Sequence, residues 1–257
     1  MKNSQENLQK RRDEIINYLS ENTELSVEQL SEYLNVSVST IRRDLSLMEE
    51  MGLVKRFHGG ASIRNFSIHS NEPPQIIKLR HLIAKRAAQY INNYDVIFFN
   101  SSQTALYSMH YLGDLKTTII TNNVNAIYLK PDENTTLILT GGEIRYPKES
   151  MVGDIANNTI SNVTSTICIM GCNGIDPEFG ITTEILHEAK VNNLFFENTL
   201  GYRIVVADYR KIGHRSNFKS GESTQCDILV TDIYANQKVL SELEKQGITV
   251  IQVDPRD

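Results

Sequence analysis

Cysteine is scarce: Cys168, Cys172 and Cys226 are the only three among 257 residues. Three thiols do not make the disulfide framework of a secreted domain, and a reducing, cytoplasmic location is the expectation. No Cys/His cluster has the spacing of a structural zinc site, so no metal and no resident cofactor are expected. Long apolar runs are missing too. None approaches the roughly eighteen residues that a membrane-spanning helix needs. The start, Met1-Lys2-Asn3-Ser4-Gln5-Glu6, lacks the apolar core of a signal peptide. No membrane partner is expected. Nor is positive charge in excess, the net charge being −5. That disfavours nonspecific coating of nucleic acid while leaving room for a local basic surface.

What remains is a soluble globular mix, 40% apolar and 22% charged, of a length that admits one large domain or two ordinary ones. Up to Arg64, nine basic residues stand against ten acidic ones, but the basic ones bunch at 10–12, 42–43 and 55–56. The polar stretch from Ser67 to Pro74 ends in two prolines and reads as a linker. The expected organisation is a small domain over 1–62, a linker over 63–75 and a larger domain over 76–257. No internal repeat or low-complexity segment is present.

In the small domain Leu8, Ile15, Ile16 and Leu19 recur at helical spacing over 8–21. Ser26 and Gln29 form a capping box that opens a helix with Val27, Leu30 and Leu34 on one face. After the turn Asn35-Val36-Ser37, Ser37 caps a further helix. Its stripe is Val38, Ile41, Leu45 and Met48, and Gly52 is its expected C′ residue. Ser39, Arg43 and Ser46 lie nearly opposite that stripe, flanked by Thr40 and Arg42. Small hydroxyls and two arginines near the start of the second helix of a pair suit the recognition helix of a helix-turn-helix. The arginine fork matches guanine O6 and N7, and small hydroxyls allow close approach to phosphate. Lys55 and Arg56 lie on a following β-like run, and His58-Gly59-Gly60-Ala61 is a turn, as in a wing laid along a DNA backbone. His58 reads equally as a phosphate contact and as a packed turn residue.

Val36-Ser37-Val38-Ser39-Thr40-Ile41-Arg42-Arg43-Asp44-Leu45, followed by the run from Gly52 to Ala61, closely resembles the DeoR family of bacterial winged-helix repressors. The resemblance implies sequence-specific binding of double-stranded DNA. The residues expected to contact it are Ser37, Ser39, Thr40, Arg42, Arg43, Ser46, Lys55, Arg56, His58 and Gly59.

Beyond Pro74 strand-like runs alternate with helical patterns. The runs are Asp95–Phe99, Thr118–Thr121, Thr136–Thr140, Ser165–Met170, Arg203–Ala207, Asp227–Val230 and Ile248–Ile251. This alternation predicts an α/β domain with a mainly parallel sheet covered on both faces. Ligands in such sheets sit beyond the carboxyl ends of the strands. Those ends carry Asn100-Ser101-Ser102-Gln103-Thr104, Thr121-Asn122, Gly141-Gly142, Asn173-Gly174 and Asp208. The turn Ser101–Thr104, with free N–H groups at a helix start, is a fair phosphate cradle. Each loop alone is also an ordinary turn composition.

The resemblance continues here through Gly141–Arg145, Val152-Gly153, Gly171–Ile175, Gly180–Thr183 and Asp208–Gly213. These look like the sensor domain of DeoR-type regulators, similar in fold to ribose-5-phosphate isomerase, which implies a phosphorylated sugar or related metabolite as effector. The expected effector residues add Arg145, Thr182, Glu184 and Lys211 to the loops above. Two departures stand out. Asn100 and Gln103 replace the family's usual aspartate and threonine in the first loop, and Arg210 stands where serine is usual. Lys211 reads either as the cation for the phosphate or as the partner of Asp208.

The rival reading is a sugar-phosphate isomerase fused to a DNA-binding module. Isomerisation needs a base, and Asn173 offers an amide where the isomerases carry carboxylates. Glu184 and Glu188 remain as substitutes. No catalysis is the expectation. Cys172 is either a reactive thiol or a buried small residue, and His187 an exposed helix position. Repressor and activator are not distinguished by residues. One winged helix reads a short half-site, so a homodimer or larger assembly is expected.

Overall fold

The computed structural model describes residues 11, 12, 14–16, 18, 19, 22, 24–50, 54–63, 73–129, 133–146 and 148–256. Leu8, Gly52 and most of the expected linker lie outside them. The chain divides into two compact units. One runs to Lys78 and takes in Tyr128–Lys130; the other comprises Leu79–Ile127 and Pro131–Asp257.

In the first unit, residues 11, 12, 14–16, 18 and 19 belong to helix α1. Strand β1 (Leu25–Ser26), α2 (Val27–Leu34), α3 (Val38–Glu50), β2 (Val54–Phe57) and β3 (Gly60–Ile63) follow. The capping box forms as its spacing demands: Ser26 Oγ accepts from Gln29 N–H at 3.1 Å, and Gln29 Oε1 accepts from Ser26 N–H at 2.8 Å. Asn35 ends α2 in the left-handed region at φ 51°, which asparagine tolerates. The Ser31 hydroxyl then donates to Val36 O at 2.6 Å and fixes the turn. Ile15, Ile16, Leu19, Val27, Leu30, Ile41, Leu45, Met48 and Val54 form one buried core. β1, β3 and β2 make a three-stranded antiparallel sheet. Gly60 is obligatory there, because a Cβ would collide with Leu25 O. Helix pair, helix and β-wing make a winged helix-turn-helix.

Helix α4 (Pro74–Ala88) leads into the second unit. Its main strands are β4 (Val96–Phe99), β5 (Thr118–Thr121) and β6 (Thr136–Leu139), then, after the hairpin β7 (Glu143–Arg145) and β8 (Ser150–Val152), β9 (Ser165–Gly171). β10 (Gly174–Asp176) and β11 (Gly180–Thr183) form a small antiparallel sheet that β13 (Phe218–Gly221) joins. β12 (Thr199–Val206), β14 (Ile228–Asp232) and β15 (Thr249–Val253) complete the set. Helices α5 (Gln103–Ser108), α6 (Asp154–Ser161), α7 (Leu186–Glu197) and α8 (Gln237–Lys245) intervene.

Seven strands lie in the order β15-β14-β12-β9-β4-β5-β6, all parallel. Alternation puts Phe98, Cys168, Met170, Val205 and Leu229 in one core, and Ile97, Phe99, Ile167, Ile169 and Val206 in the other. Both faces are covered, which is why these strands read as apolar runs. The order reverses between β4 and β9. In a doubly wound sheet that is the switch point, where a crevice opens at the carboxyl edge.

Candidate nucleic-acid interface and ligand site

On α3, Ile41, Leu45 and Met48 are buried while Ser39, Arg42 and Arg43 are exposed. Thr40 and Ser46 are half-buried. Ser37 Oγ accepts from Thr40 N–H at 3.2 Å and lies 2.8 Å from the hydroxyls of both Ser39 and Thr40. Ser37 therefore acts as the helix cap the sequence called for, and its hydroxyl is already engaged. Asp44, in the same helix, is buried and paired with Arg11. The bunched charge at 10–12 is thus partly committed to the fold.

Lys55, His58 and Gly59 are exposed on the wing, and Gly59 adopts φ 86°. Arg56 differs from the free contact expected: its N–H donates to Glu49 Oε1 at 3.0 Å and its guanidinium lies 3.8 Å from Glu49 Oε2. It ties the wing to the end of α3.

At the carboxyl edge of the large sheet, the loop after β4 meets β9 at the switch point. Asn100 is buried. Its amide donates to Gly171 O at 2.8 Å and to Asn192 Oδ1 at 3.1 Å, and it accepts from Gly171 N–H at 3.0 Å and Ser102 N–H at 3.2 Å. All of its capacity is used, so it is a staple between strands rather than a ligand contact. An aspartate could not donate to Gly171 O. Gly171 must be glycine, since a Cβ would strike Ser102 Oγ. Ser102 caps α5, placing N–H groups of the Ser101–Thr104 turn at a helix start. Thr104 is buried and the other three are half-buried.

Glu188 on α7 is the hub of this region. Its buried carboxylate accepts from Ser101 Oγ at 3.1 Å, Thr183 Oγ1 at 3.1 Å and Lys148 Nζ at 3.3 Å. Lys148, in the turn between β7 and β8, also donates to Asn173 Oδ1 at 3.1 Å. Asn173 further accepts from Thr183 Oγ1 and the Glu184 N–H. Neither Lys148 nor Glu188 was among the expected effector residues.

Eight further expected residues have structural duties or stand exposed. Thr182 is buried and bridges Gly174 O and Ser216 N–H. Gly174 lies under His214 O, so close that a Cβ is excluded. The Glu184 side chain is exposed, one residue short of the Ile185 cap of α7. Arg145 is exposed and holds Glu143 at 2.6 Å. Thr121 and Asn122 are buried at the end of β5, where Thr121 accepts from Asn123 N–H and Asn122 donates to Met151 O. Gly141 and Gly142 both have positive φ, and at Gly142 a Cβ would press on Val152 O.

Past β12, Asp208 is fully buried. Arg210 grips it with Nε at 2.8 Å and Nη2 at 2.9 Å, and Arg80 on α4 stands 3.5 Å away. Arg80 also donates to Gln103 Oε1 at 3.1 Å, and Gln103 donates to the Tyr107 hydroxyl. The cations hold the Asp208 carboxyl below its ordinary value against the opposing effect of burial. Lys211 is not the partner of Asp208. Its ammonium has no hydrogen bond or ion pair among the described residues. Burial and the neighbouring Arg80 push its pKa down. Cys172, buried beside it, is pushed up to about 11 by desolvation and stays a thiol.

The family model for the DeoR-like helix-turn-helix domain matches residues 11–65, and that for the DeoR C-terminal sensor domain matches 77–233. The chain belongs to the DeoR family of transcriptional regulators. It is a DNA-binding protein of that family, and α3 lies within the matched helix-turn-helix domain. The regulator is 32% identical over 246 residues to the HTH-type transcriptional regulator GolR of Listeria innocua, covering 93% of this chain and 96% of that one. It is 30% identical over 224 residues to the glycerol-3-phosphate regulon repressor of Escherichia coli, covering 85% and 88%. A ribose 5-phosphate isomerase from Methanocaldococcus jannaschii overlaps 52% of this chain and 54% of its own, with 15% identity and a TM-score of 0.38. That likeness is too loose to bear on activity.

Proposed function

We propose that this DeoR-family regulator represses a sugar-catabolism operon and is released from its operator by a phosphorylated sugar or related metabolite. The Escherichia coli relative is named for a glycerol-3-phosphate regulon, which supports a small phosphorylated effector. The observation that carries the reading is Lys211, a half-buried cation without a partner among the described residues, at the carboxyl edge of a doubly wound sheet. The Ser101–Thr104 turn supplies N–H groups and hydroxyls from the same edge, at a helix start. Exposed helix ends contribute only about 0.3–1 kcal/mol to anion binding, so a dianion needs the lysine. The protein works in the cytoplasm, as a homodimer or larger assembly, because one winged helix covers only a half-site.

No metal or cofactor enters this reading. Nor does isomerase chemistry: both Glu188 oxygens already accept hydrogen bonds, Asn173 is an amide, and the Glu184 side chain is exposed. A thermal-shift screen of sugar phosphates identifies the effector, since a ligand of the folded state raises its melting temperature. Lys211→Ala is expected to bind operator as the parent does but to ignore the effector. A stable Lys211→Ala protein that releases operator at the parental effector concentration rejects the phosphate role.

A further inference from the structure

Asp208 and Lys211 lie at the two ends of a single 3-10 turn, Tyr209–Lys211 with Asp208 as its cap. A buried carboxylate and a half-buried ammonium so placed should pair, because an isolated charge away from water is costly. They do not. Arg210, between them, takes the carboxylate instead. Its Nε bonds one oxygen and its Nη2 the other, while its own N–H completes the cap at 3.2 Å. Arg80 closes from α4 at 3.5 Å. A planar fork satisfies two carboxylate oxygens at once, which a lysine point charge cannot match. The charged and titratable groups around Lys211 are Arg80, Lys148, Cys172 and Asp208. Of the buried anions at this edge, Asp208 is forked by Arg210, Glu188 is held by Lys148, and Asp232 accepts from the N–H groups of Tyr209 and Tyr234 at 2.8 and 3.0 Å.

We propose that Arg210 is a positioning residue for effector binding: by occupying Asp208 it keeps Lys211 free for the anion and sets the affinity of the site for phosphate. This rests on the reading that Lys211 binds the effector's phosphate. Arg210 itself does not touch the ligand. Removing its side chain exposes Asp208 to Lys211, the carboxylate becomes an internal competitor for the lysine, and a phosphate must displace it. The proposal also accounts for the tolerance of a fully buried aspartate inside an anion site, where an unneutralised carboxylate would repel the ligand.

Inorganic phosphate is the probe, titrated calorimetrically into the full chain. The parent is expected to bind it and Lys211→Ala to lose it; failure of either expectation rejects the phosphate site itself. Arg210→Ala is expected to weaken phosphate binding about tenfold, the size of one charge-assisted contact. In an Asp208→Asn background, Arg210→Ala should change affinity less than twofold, because there is no longer a carboxylate to neutralise. An equal loss in both backgrounds means that Arg210 contacts the anion and overturns the proposal, as does no loss in either. A second measurement does not depend on the Asp208 variant folding or on ligand. NMR titration of the Lys211 ammonium should show its pKa rising in Arg210→Ala, as Asp208 becomes its partner. An unchanged pKa overturns the proposal even where phosphate binding is weakened.

Discussion

The outward face of α3 and the carboxyl edge of the seven-stranded sheet are both polar, yet they are built in opposite ways. On α3 the arginines stand in solvent, and the fold would keep its core without them. At the sheet edge buried polar side chains are bonded to one another: Asn100 to Gly171, Glu188 to Lys148, Asp208 to Arg210. On the proposed function the difference follows from the partners. Duplex DNA brings a rigid, dense array of phosphates and base edges, so exposed side chains on a fixed helix are sufficient. A small ligand brings few contacts, and the site must be preorganised before it arrives. Lys211 stands apart at that edge as a cation with no hydrogen bond or ion pair among the described residues.

The sharpest way to test the contrast is at Glu188. Glu188→Gln leaves Lys148 half-buried without its counter-charge and disturbs three hydrogen bonds. Breaking one side of such a pair costs about 3–5 kcal/mol, which should appear as a lower midpoint in urea with the winged-helix unit still able to bind DNA. Unaltered stability would mean that the hub is not structural and would reopen the question of a free carboxylate there.

The counterpart on α3 is Arg42→Ala and Arg43→Ala. Each should weaken operator binding by about 1–3 kcal/mol and relax preference at one base pair, with the melting temperature unmoved. Operator affinity at parental level in a mobility-shift assay would dismiss the recognition face.

A third test uses pH. His81 is buried against Tyr107 and Tyr111, and desolvation lowers its pKa from 6.5 to about 3. The folded state keeps it neutral while the unfolded chain protonates below 6.5. Its contribution to stability is therefore intact above that pH and is lost as pH falls towards 3. Between pH 6.5 and 5 the loss should reach about 2 kcal/mol, and His81→Phe should flatten that slope in denaturant titrations. The smallest effect separates two wing residues. Lys55→Ala should weaken all duplexes alike and reduce the salt slope by about 1. Arg56→Ala, whose side chain is held by Glu49, should alter that slope less.

The seven parallel strands were legible because buried strands read as short apolar runs punctuated by turns, from Val96–Phe99 to Thr249–Val253. The winged helix was legible because caps act locally: Ser26 with Gln29, and Ser37 with Thr40, are three residues apart. The short antiparallel strands β7, β8, β10, β11 and β13 left no such pattern. β7–β8 and β10–β11 are hairpins of strands too short to alternate visibly, and β13 joins from distant chain, where Ile181 meets Gly221. The loops of the carboxyl edge were legible as strand ends, but which of their residues are engaged within the fold, as Asn100 and Thr182 are, was not. Arg80 and Lys148 were missed, and Glu188 was read only as a possible base, because they come from a helix, a hairpin turn and a second helix. Nothing in their local spacing joins them.

Periodicity, capping and turn chemistry act within a few residues, so the order of residues alone determined the helix pair with its outward arginines and the alternation of strand and helix. Which polar groups are used internally was decided only when β4 and β9 met at the switch point and α4, α7 and the β7–β8 turn closed over that edge. A carboxylate takes whichever cation the packing brings nearest with the better fork, and that is a property of distances across the fold. Asp208 thus went to Arg210 and Arg80, and Lys211 was left over.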